Sequence, residues 1–390
     1  MNLNALTATM TRRTIEVQRS NKQSQQRIGA ATSRISSIGR EYVNQPQGAR
    51  NDEAETAFTS LLLGVALLCG GAFCQGAPSA TTSLSPVPGT TCAVFPPNNV
   101  WNTPIDDMPV NRNSAAWAAS LPGKHLTLGF GPAGGKNYGF PYQVVDNNIP
   151  MVSVAISDRQ ESDPGPYPFN SETPIEPFDG GDAHALMINK DTCILYELYD
   201  AHWNDGNPKA ANGVIYDLKS NALISNPSFS SASADDAGLP LFPGLVRFDE
   251  VQAGVIDHAL RFEASRAYSG GVLWPGTYTP TYLNTPNANV LWMGSRWRLR
   301  KSLDISHYSA QAQVILNALK KYGMFMSDIG DDWQIDGTLD TNWPQNLVNE
   351  LGTVPSSELE AVDESSLMAN PELNPESGGG TCYSGAAKKR

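Results

Sequence analysis

The chain beyond about residue 92 consists of short apolar or alternating runs, each ended by turn-forming residues. The sequence holds 34 glycines and 28 prolines, whereas charged residues make up only 17% of it. Short runs bounded by Gly, Pro, Asn and Asp are the pattern of β-strands joined by turns. We predict strands at Tyr142–Val145, Met151–Ile156, Ala183–Asn189, Ile194–Tyr199, Gly213–Leu218, Ala259–Glu263, Gly271–Trp274 and Trp297–Leu303.

One segment instead has helical periodicity. Ser309 can cap its start, apolar residues recur on one face, and Gly323 can end it. Shorter helices are predicted over Asp249–Asp257 and Ser114–Ser120. Few helices among many strands predict a mainly β fold, a β-sandwich of jelly-roll or concanavalin-like type with a few added helices. A mixed α+β fold is the alternative.

An uncharged apolar run, Ala57–Cys74, precedes this region. Its core, Leu61–Leu68, with small residues after it, fits a cleaved secretory signal, although more than fifty residues come first. The run is barely long enough for an uncleaved signal anchor, and a buried core helix is a third interpretation. Either of the first two places the remainder outside the membrane, secreted or membrane-anchored with an external domain.

The flanking composition predicts the domain organisation. Residues 1–56 are polar and poor in aromatic residues, so we predict a disordered tail, followed by the signal or anchor at 57–76. A Ser/Thr/Pro linker is predicted at 77–91, one β-rich domain at 92–363, and a second disordered tail at 364–390. A formal net charge of −12 argues against nucleic acid as a partner.

Three cysteines follow the apolar run, and an oxidising compartment favours a disulfide between two of them. Cys92 opens the domain and Cys193 lies in a predicted hairpin, so we favour Cys92–Cys193, with Cys92–Cys382 as the competitor. No Cys/His spacing predicts a zinc site, and no cofactor is predicted. The acidic stretch Asp328–Asp336 could hold calcium, but it lacks EF-hand spacing, and an acidic surface loop is the simpler interpretation.

The densest polar cluster lies in Gly180–Trp203. A two-residue turn at Lys190-Asp191 would place His184 opposite Glu197, and one residue of slippage would place it opposite Leu198. A histidine beside a carboxylate is suited to general acid–base catalysis. We therefore predict His184 and Glu197 as the acid–base pair with Tyr196 nearby, the alternative being a buried, hydrogen-bonded histidine.

Further candidates surround this pair. His258 is a third catalytic candidate, or else a core histidine. Arg261, three residues further along and on the opposite strand face, is a substrate-binding candidate, or else part of a solvated pair with Glu263. His202 and Trp203 in a loop could bind a sugar. The row Arg296, Arg298, Arg300 could bind carboxylates, with Arg296 as the chosen residue, or could form a solvated outer face.

Four segments, FPPNNVWNTPIDDMPV (95–110), GDAHALMINKDTCILYELYDA (181–201), residues 233–262 and residues 309–335, resemble a widespread family of uncharacterised secreted proteins, chiefly of environmental bacteria. The resemblance covers about residues 92–363 and implies one exported domain. It brings no activity and no catalytic residues. After Trp274-Pro275 the family pattern implies a further histidine, where this chain has Gly276-Thr277-Tyr278.

The chain lacks the GxSxG, HExxH, P-loop and GxGxxG motifs, so serine hydrolases, zincins, NTPases and dinucleotide enzymes lose their usual sequence support. We expect a secreted carbohydrate-active enzyme, a polysaccharide hydrolase or lyase, acting on a polysaccharide or cell-wall glycan. The alternative is a non-catalytic glycan-binding or wall-associated protein, with Trp203 and Trp292 as sugar platforms.

Overall fold

The computed structural model describes residues 84–177, 182–223 and 234–374, all within one compact unit, Gly76–Arg390. The apolar run Ala57–Cys74, the tail at residues 1–56 and Cys382 lie outside these ranges. In the described ranges, no helix has both the length and the apolar character needed to cross a bilayer.

Strands account for more of the described chain than helices, as a mainly β or α+β fold requires. The strands are β1 (Thr127–Leu128), β2 (Gly131–Ala133), β3 (Lys136–Tyr138), β4 (Tyr142–Val145), β5 (Ala155–Ile156), β6 (Ala185–Asn189), β7 (Ile194–Tyr199), β8 (Lys209–Ala210), β9 (Asn212–Asp217), β10 (Leu260–Ala264), β11 (Arg296–Leu299), β12 (Met324–Ile329), β13 (Gln334–Ile335) and β14 (Leu359–Ala361).

Two larger sheets organise these strands. One has six strands in the order β1-β13-β10-β12-β11-β14, and the other has four in the order β4-β6-β7-β9. Both contain parallel as well as antiparallel neighbours: β10 runs parallel to β12, and β4 runs parallel to β6. Inward-facing residues of both sheets belong to one hydrophobic core.

The α-helices are α1 (Ser114–Ala119), α2 (Phe248–Ala253), α3 (Ala310–Lys321), α4 (Gln345–Leu351) and α5 (Ser365–Met368), and short 3-10 turns lie at Val100–Asn102, Arg159–Glu161, Asn204–Gly206, Phe242–Gly244 and Ser356–Glu358. Helix α3 begins and ends where its sequence predicts. Ser309 accepts a hydrogen bond from the Ala312 backbone N–H, and Gly323 adopts a φ of 69°. The predicted strand Gly271–Trp274 is absent, and that segment is irregular.

The β6–β7 hairpin has a different register from either predicted one. Asn189 pairs with Ile194, so the connection has four residues, and His184 comes to lie opposite Tyr199. The Asn189 side chain accepts hydrogen bonds from the backbone N–H groups of Asp191 and Thr192, which closes the longer turn. The two-residue turn was therefore wrong, because asparagine capping of a longer connection competes with it.

The predicted disulfide Cys92–Cys193 is confirmed, with a Cα–Cα distance of 5.4 Å. Cys193 is in the hairpin connection and has a φ of 58°, so the bond joins the start of the domain to this turn.

Because the disulfide closes a loop of about 100 residues, it restricts the unfolded chain strongly. We expect Cys92→Ser/Cys193→Ser to lower the free energy of unfolding by about 2–4 kcal/mol, measured by urea denaturation. In excess reductant, the free energy of unfolding of the wild type should fall by a similar amount. A double variant as stable as oxidised wild type would contradict this role.

Both ends of the described chain extend the predicted domain. Val87, in the predicted linker, is fully buried, and Pro86 bridges Ala93. Residues 364–374, predicted as tail, contain α5, and the Glu364 carboxylate lies 3.3 Å from the buried Arg296 guanidinium. A buried cation needs a partner, which explains why order continues past residue 363.

Candidate active site

A row of polar side chains crosses four strands of the six-stranded sheet. Thr127 of β1 pairs in register with Gln334 of β13, Gln334 with Glu263 of β10, and Glu263 with Asp328 of β12. Glu263 and Asp328 lie near the carboxyl ends of two parallel strands, about 4.8 Å apart at the backbone. Their side chains are each 15% exposed. The two carboxyl groups are thus neighbours that solvent can reach.

The guanidinium of Arg261 joins this row to buried carboxylates. Its Nη2 lies 3.2 Å from Asp328 and 3.5 Å from Asp235, whereas its Nη1 lies 3.5 Å from Glu263 and donates to Asp336. Arg261 is fully buried, so these contacts are shielded from water. One cation is therefore shared among four carboxyl groups, named here the Arg261 cluster.

Glycines make room for the Arg261 cluster. A Cβ atom on Gly330 would overlap the Glu263 carboxyl group, and one on Gly129 would overlap that of Asp336. A Cβ on Gly244 would lie 2.7 Å from the Arg261 Cβ. Larger residues at these positions would displace the charged groups, so the local backbone is suited to this packing.

The excess of carboxyl groups keeps protons on the Arg261 cluster. Burial, together with the Asp336 charge, raises the pKa of Glu263 to about 9. Burial raises the pKa of Asp235 to about 7 despite Arg261, and burial with the charges of Asp236 and Asp235 raises the pKa of Asp328 well above its usual range. At neutral pH the cluster therefore holds both protonated and ionised carboxyl groups.

The four-stranded sheet contributes an aromatic and histidine layer. The Phe140 ring lies between the Arg261 guanidinium, 5.6 Å away, and the His184 ring, 5.3 Å away. His184 also packs against Tyr199 at 5.4 Å. Burial opposes protonation of His184, but its Nδ1 contact with Glu176, at 2.9 Å, raises its pKa. His184 is thus a buried, hydrogen-bonded residue beside the cluster.

Glu197 points to the same core but is enclosed. Its carboxyl oxygens accept hydrogen bonds from the backbone N–H groups of Leu241, at 3.0 Å, and Phe242, at 2.8 Å. The side chain is fully buried, and burial raises its pKa to about 7. Glu197, which the sequence predicts as catalytic, therefore anchors the turn at Phe242–Gly244 and is enclosed by protein.

Two tyrosine–carboxylate pairs border the exposed side of the cluster. Tyr282, 64% exposed, donates its hydroxyl hydrogen to Asp236 and interacts electrostatically with Asp328 and Tyr199. Tyr278 hydrogen-bonds Glu161. The Tyr282–Asp236 hydrogen bond thus attaches the irregular segment after Pro275 to the residue that follows Asp235 of the cluster.

Two predicted catalytic residues lie away from the cluster. Tyr196 projects from the opposite face of β7 and packs on Tyr167 at 6.1 Å, because alternate strand residues face opposite sides. His258 is buried, with Nε2 3.1 Å from Glu250, which also pairs with Arg247. The structure therefore does not bring Tyr196 and His258 together with His184 and Glu197.

Both predicted substrate-binding arginines are occupied internally. Arg261 is not a solvated partner of Glu263 but the buried cation of the cluster. Arg296 donates to the backbone oxygens of Tyr322 at 2.9 Å and Thr103 at 2.8 Å, and its guanidinium lies 4.7 Å from the centre of the Phe325 ring. The guanidinium of Arg296 is thus buried among partners within the protein, and its substrate-binding role stays a prediction.

The predicted sugar platforms are only partly open. His202 is exposed and bonds Asp200 at 2.8 Å, near Tyr199. Trp203 packs edge-on against Phe169 at 5.6 Å, and Trp292 packs against Tyr268 at 4.4 Å. Both indole rings are half-buried, so Tyr282 is more open to a ligand than either.

The acidic stretch at 328–336 is not a surface loop. Asp328 belongs to β12, Asp336 is fully buried against Arg261, and the Asp332 carboxylate accepts from the Gly123 and Ser265 backbone N–H groups. In the part of the chain that the structure describes, no group of three or more His, Cys, Asp or Glu side chains has the arrangement of a metal site. The calcium site therefore has no assembled ligand set within these residues.

Sequence inspection missed the Glu263–Asp328 pair. Both residues end strands that carry apolar residues at the alternate positions, and an acid there is costly to bury without a partner. The same cost of burying an acid singles out Glu197 in the sequence, and it applies equally to these two positions.

Comparisons with protein-family models, curated proteins and solved structures found no match to this chain.

Proposed function

We propose that this chain is an extracellular hydrolase of neutral polysaccharides, with Glu263 as its acid–base residue and Asp328 as its nucleophile. The observation that carries the proposal is the in-register pairing of these two partly exposed carboxyl groups over one buried guanidinium. Glycoside hydrolases use two carboxyl groups, one protonated and one ionised, on either side of the bond they cleave.

The two groups differ in their donors. Asp328 accepts from Arg261 at 3.2 Å and from the Ile329 backbone N–H at 2.8 Å, and these two donors favour its ionised form against the burial that raises its pKa. Glu263 accepts from Gln334 at 2.9 Å, and its pKa of about 9 keeps it protonated at neutral pH. We therefore assign the proton donor role to Glu263 and the carboxylate role to Asp328.

The reaction follows from these roles. Glu263 gives its proton to the glycosidic oxygen as the bond from that oxygen to the anomeric carbon breaks. Asp328 attacks the anomeric carbon, and water then displaces it while Glu263 recovers a proton. Neighbouring strands place the carboxyl groups close together, which favours this two-step route with retained configuration over direct attack by a water held between distant groups.

A lyase is less well supported than a hydrolase. Lyases that act on uronates need a cation to neutralise the substrate carboxylate, but Arg261 and Arg296 are buried and already paired. Further acids, Asp182 and Asp236, lie around the Arg261 cluster and would repel a polyanion. The substrate we propose is therefore neutral.

The disulfide supports export, since such bonds persist in oxidising compartments. We also propose that the two larger sheets stack as the β-sandwich expected from the sequence, because residues from both share one core. In that arrangement the layer containing His184, Phe140 and Arg261 lies between the sheets, and Arg261 contacts both carboxyl groups of the reacting pair.

We expect wild type to release reducing ends from neutral polysaccharides, and Glu263→Gln and Asp328→Asn each to lower kcat by at least about 100-fold. Glu172→Gln, an exposed carboxylate in a turn, is the matched control and should retain full activity. Assays use a panel of glucans, xylans, mannans and pectate, read by reducing ends and by absorbance of unsaturated products.

Unsaturated products from pectate would instead support the lyase. Glycan binding without turnover of any substrate would support the non-catalytic alternative. Turnover that survives both Glu263→Gln and Asp328→Asn would remove the assignment of this pair.

A further inference from the structure

We propose, on the basis of the hydrolase function above, that the substrate chain lies along the polar row and is cleaved at internal bonds. The row has an exposed aromatic residue at the Asp328 side and a cavity at the Thr127 side. A polymer can therefore extend past the Glu263–Asp328 pair in both directions.

The cavity lies beyond the carboxyl end of β10, where Ser265 lines it. It has a volume of about 380 Å³, and its lining includes Lys124, His125, Thr127, Ser265 and Asp331. Thr127 is the end of the polar row, and Ser265 lies two residues beyond Glu263. Ligands of open sheets with parallel strands commonly bind beyond the strands' carboxyl ends, where this cavity is.

The lining of the cavity suits sugar hydroxyl groups. Lys124 and His125 are exposed and offer N–H donors, and Asp331 offers carboxylate acceptors. Charges of both signs border this cavity, so it favours polar groups without demanding a charged ligand. This agrees with a neutral glycan.

The opposite end of the row is aromatic. The Tyr282 ring is 64% exposed, and its hydroxyl group is held by Asp236, which fixes the ring's position. Asp236 directly follows Asp235, whose carboxylate lies 3.5 Å from the Arg261 guanidinium, so the Tyr282 ring lies at the border of the Arg261 cluster. A fixed, exposed ring with a polar tip is suited to stacking on a sugar.

The length of the row sets the size of the ligand. Three strand spacings of about 4.8 Å give a row of roughly 14 Å. This length exceeds a single sugar ring, so a chain that fills the row contacts Tyr282 at one end and Lys124 at the other. A site open at both ends accepts the interior of a polymer, whereas a closed pocket would accept only its terminus.

Binding is measured in a Glu263→Gln background, where hydrolysis is stopped. Calorimetry compares cellohexaose, xylohexaose and mannohexaose with the corresponding disaccharides. We expect at least one hexasaccharide to bind about tenfold more tightly than its disaccharide, and Tyr282→Ala and Lys124→Ala each to weaken hexasaccharide binding about tenfold. Tyr138→Ala, an exposed tyrosine of the β2–β3 hairpin, is the matched control and should bind like its parent.

The inference is overturned if no hexasaccharide binds, or if both Tyr282→Ala and Lys124→Ala leave the hexasaccharide Kd unchanged while thermal melts show folded protein. Viscometry of wild type on the matching polymer gives a second readout, since internal cleavage lowers viscosity before many reducing ends appear. Release of only short end products with Glu263-dependent turnover would overturn the inference and leave the hydrolase standing. Length-dependent binding without turnover would overturn the hydrolase and the internal cleavage, and would leave only the binding of a glycan along the polar row.

Discussion

Replacing Arg261 by methionine is expected to lower the free energy of unfolding by about 3–5 kcal/mol. Arg261 is the cation that four carboxyl groups share, and its side chain has no exposure to solvent. Methionine fills a similar volume but leaves Asp235 and Asp336 buried without a positive charge. The carboxyl groups must then take up protons or draw in water, and both responses destabilise the folded state.

Urea denaturation at pH 7 measures this effect, and Arg300→Met is the matched control. Arg300 is about half exposed and lies 3.4 Å from Glu360, so its loss should cost less than about 1 kcal/mol. Equal destabilisation by the two substitutions would show that the Arg261 cluster contributes no more than a surface ion pair.

We expect the domain to be markedly more stable at pH 5 than at pH 8.5. Burial raises the pKa of Glu197 and of Asp235 to about 7 in the folded protein, whereas both ionise near pH 4 when unfolded. Between these values the folded state binds more protons than the unfolded state, so stability falls as the pH rises. Each group contributes on the order of 3 kcal/mol of this loss.

The loss of stability continues toward pH 9, because the folded pKa of Glu263 is about 9. The raised pKa of His184 likewise makes the folded state less stable as the pH rises. Guanidinium denaturation at half-unit pH steps measures the slope. Glu197→Gln removes one titrating group and should flatten the slope between pH 5 and pH 7. A stability maximum at pH 8 or above would contradict the raised pKa values.

Local patterns were sufficient to predict several elements but not the site. The strands Tyr142–Val145 and Ile194–Tyr199 and the ends of α3 agree with the structure, because alternation and capping act within a few residues. The Glu263–Asp328 pairing joins residues 65 positions apart through a parallel contact, which no local pattern encodes. Asp328 was instead grouped with its acidic neighbours in sequence.

The length of the β6–β7 turn determines which residue lies opposite His184. Alternation places Glu197 and Tyr196 on opposite faces of β7, but a turn predicted two residues too short gave His184 the wrong cross-strand partner. The burial of Glu197 by the backbone of Leu241 and Phe242 depended on a segment some 44 residues away. Tertiary contacts, not strand propensity, thus decided which acid stays accessible.

The polar row brings together four strands that are distant in sequence, and this has a kinetic consequence. Thr127 and Gln334 are separated by 207 residues, and β12 can pair with β10 only after the intervening chain, including α3, has been placed. Closing such long loops is slow and comes late in folding. The reacting pair therefore forms among the last features of the fold, so the onset of activity after dilution from denaturant would report complete folding, and a fragment ending before β12 would lack Asp328 altogether.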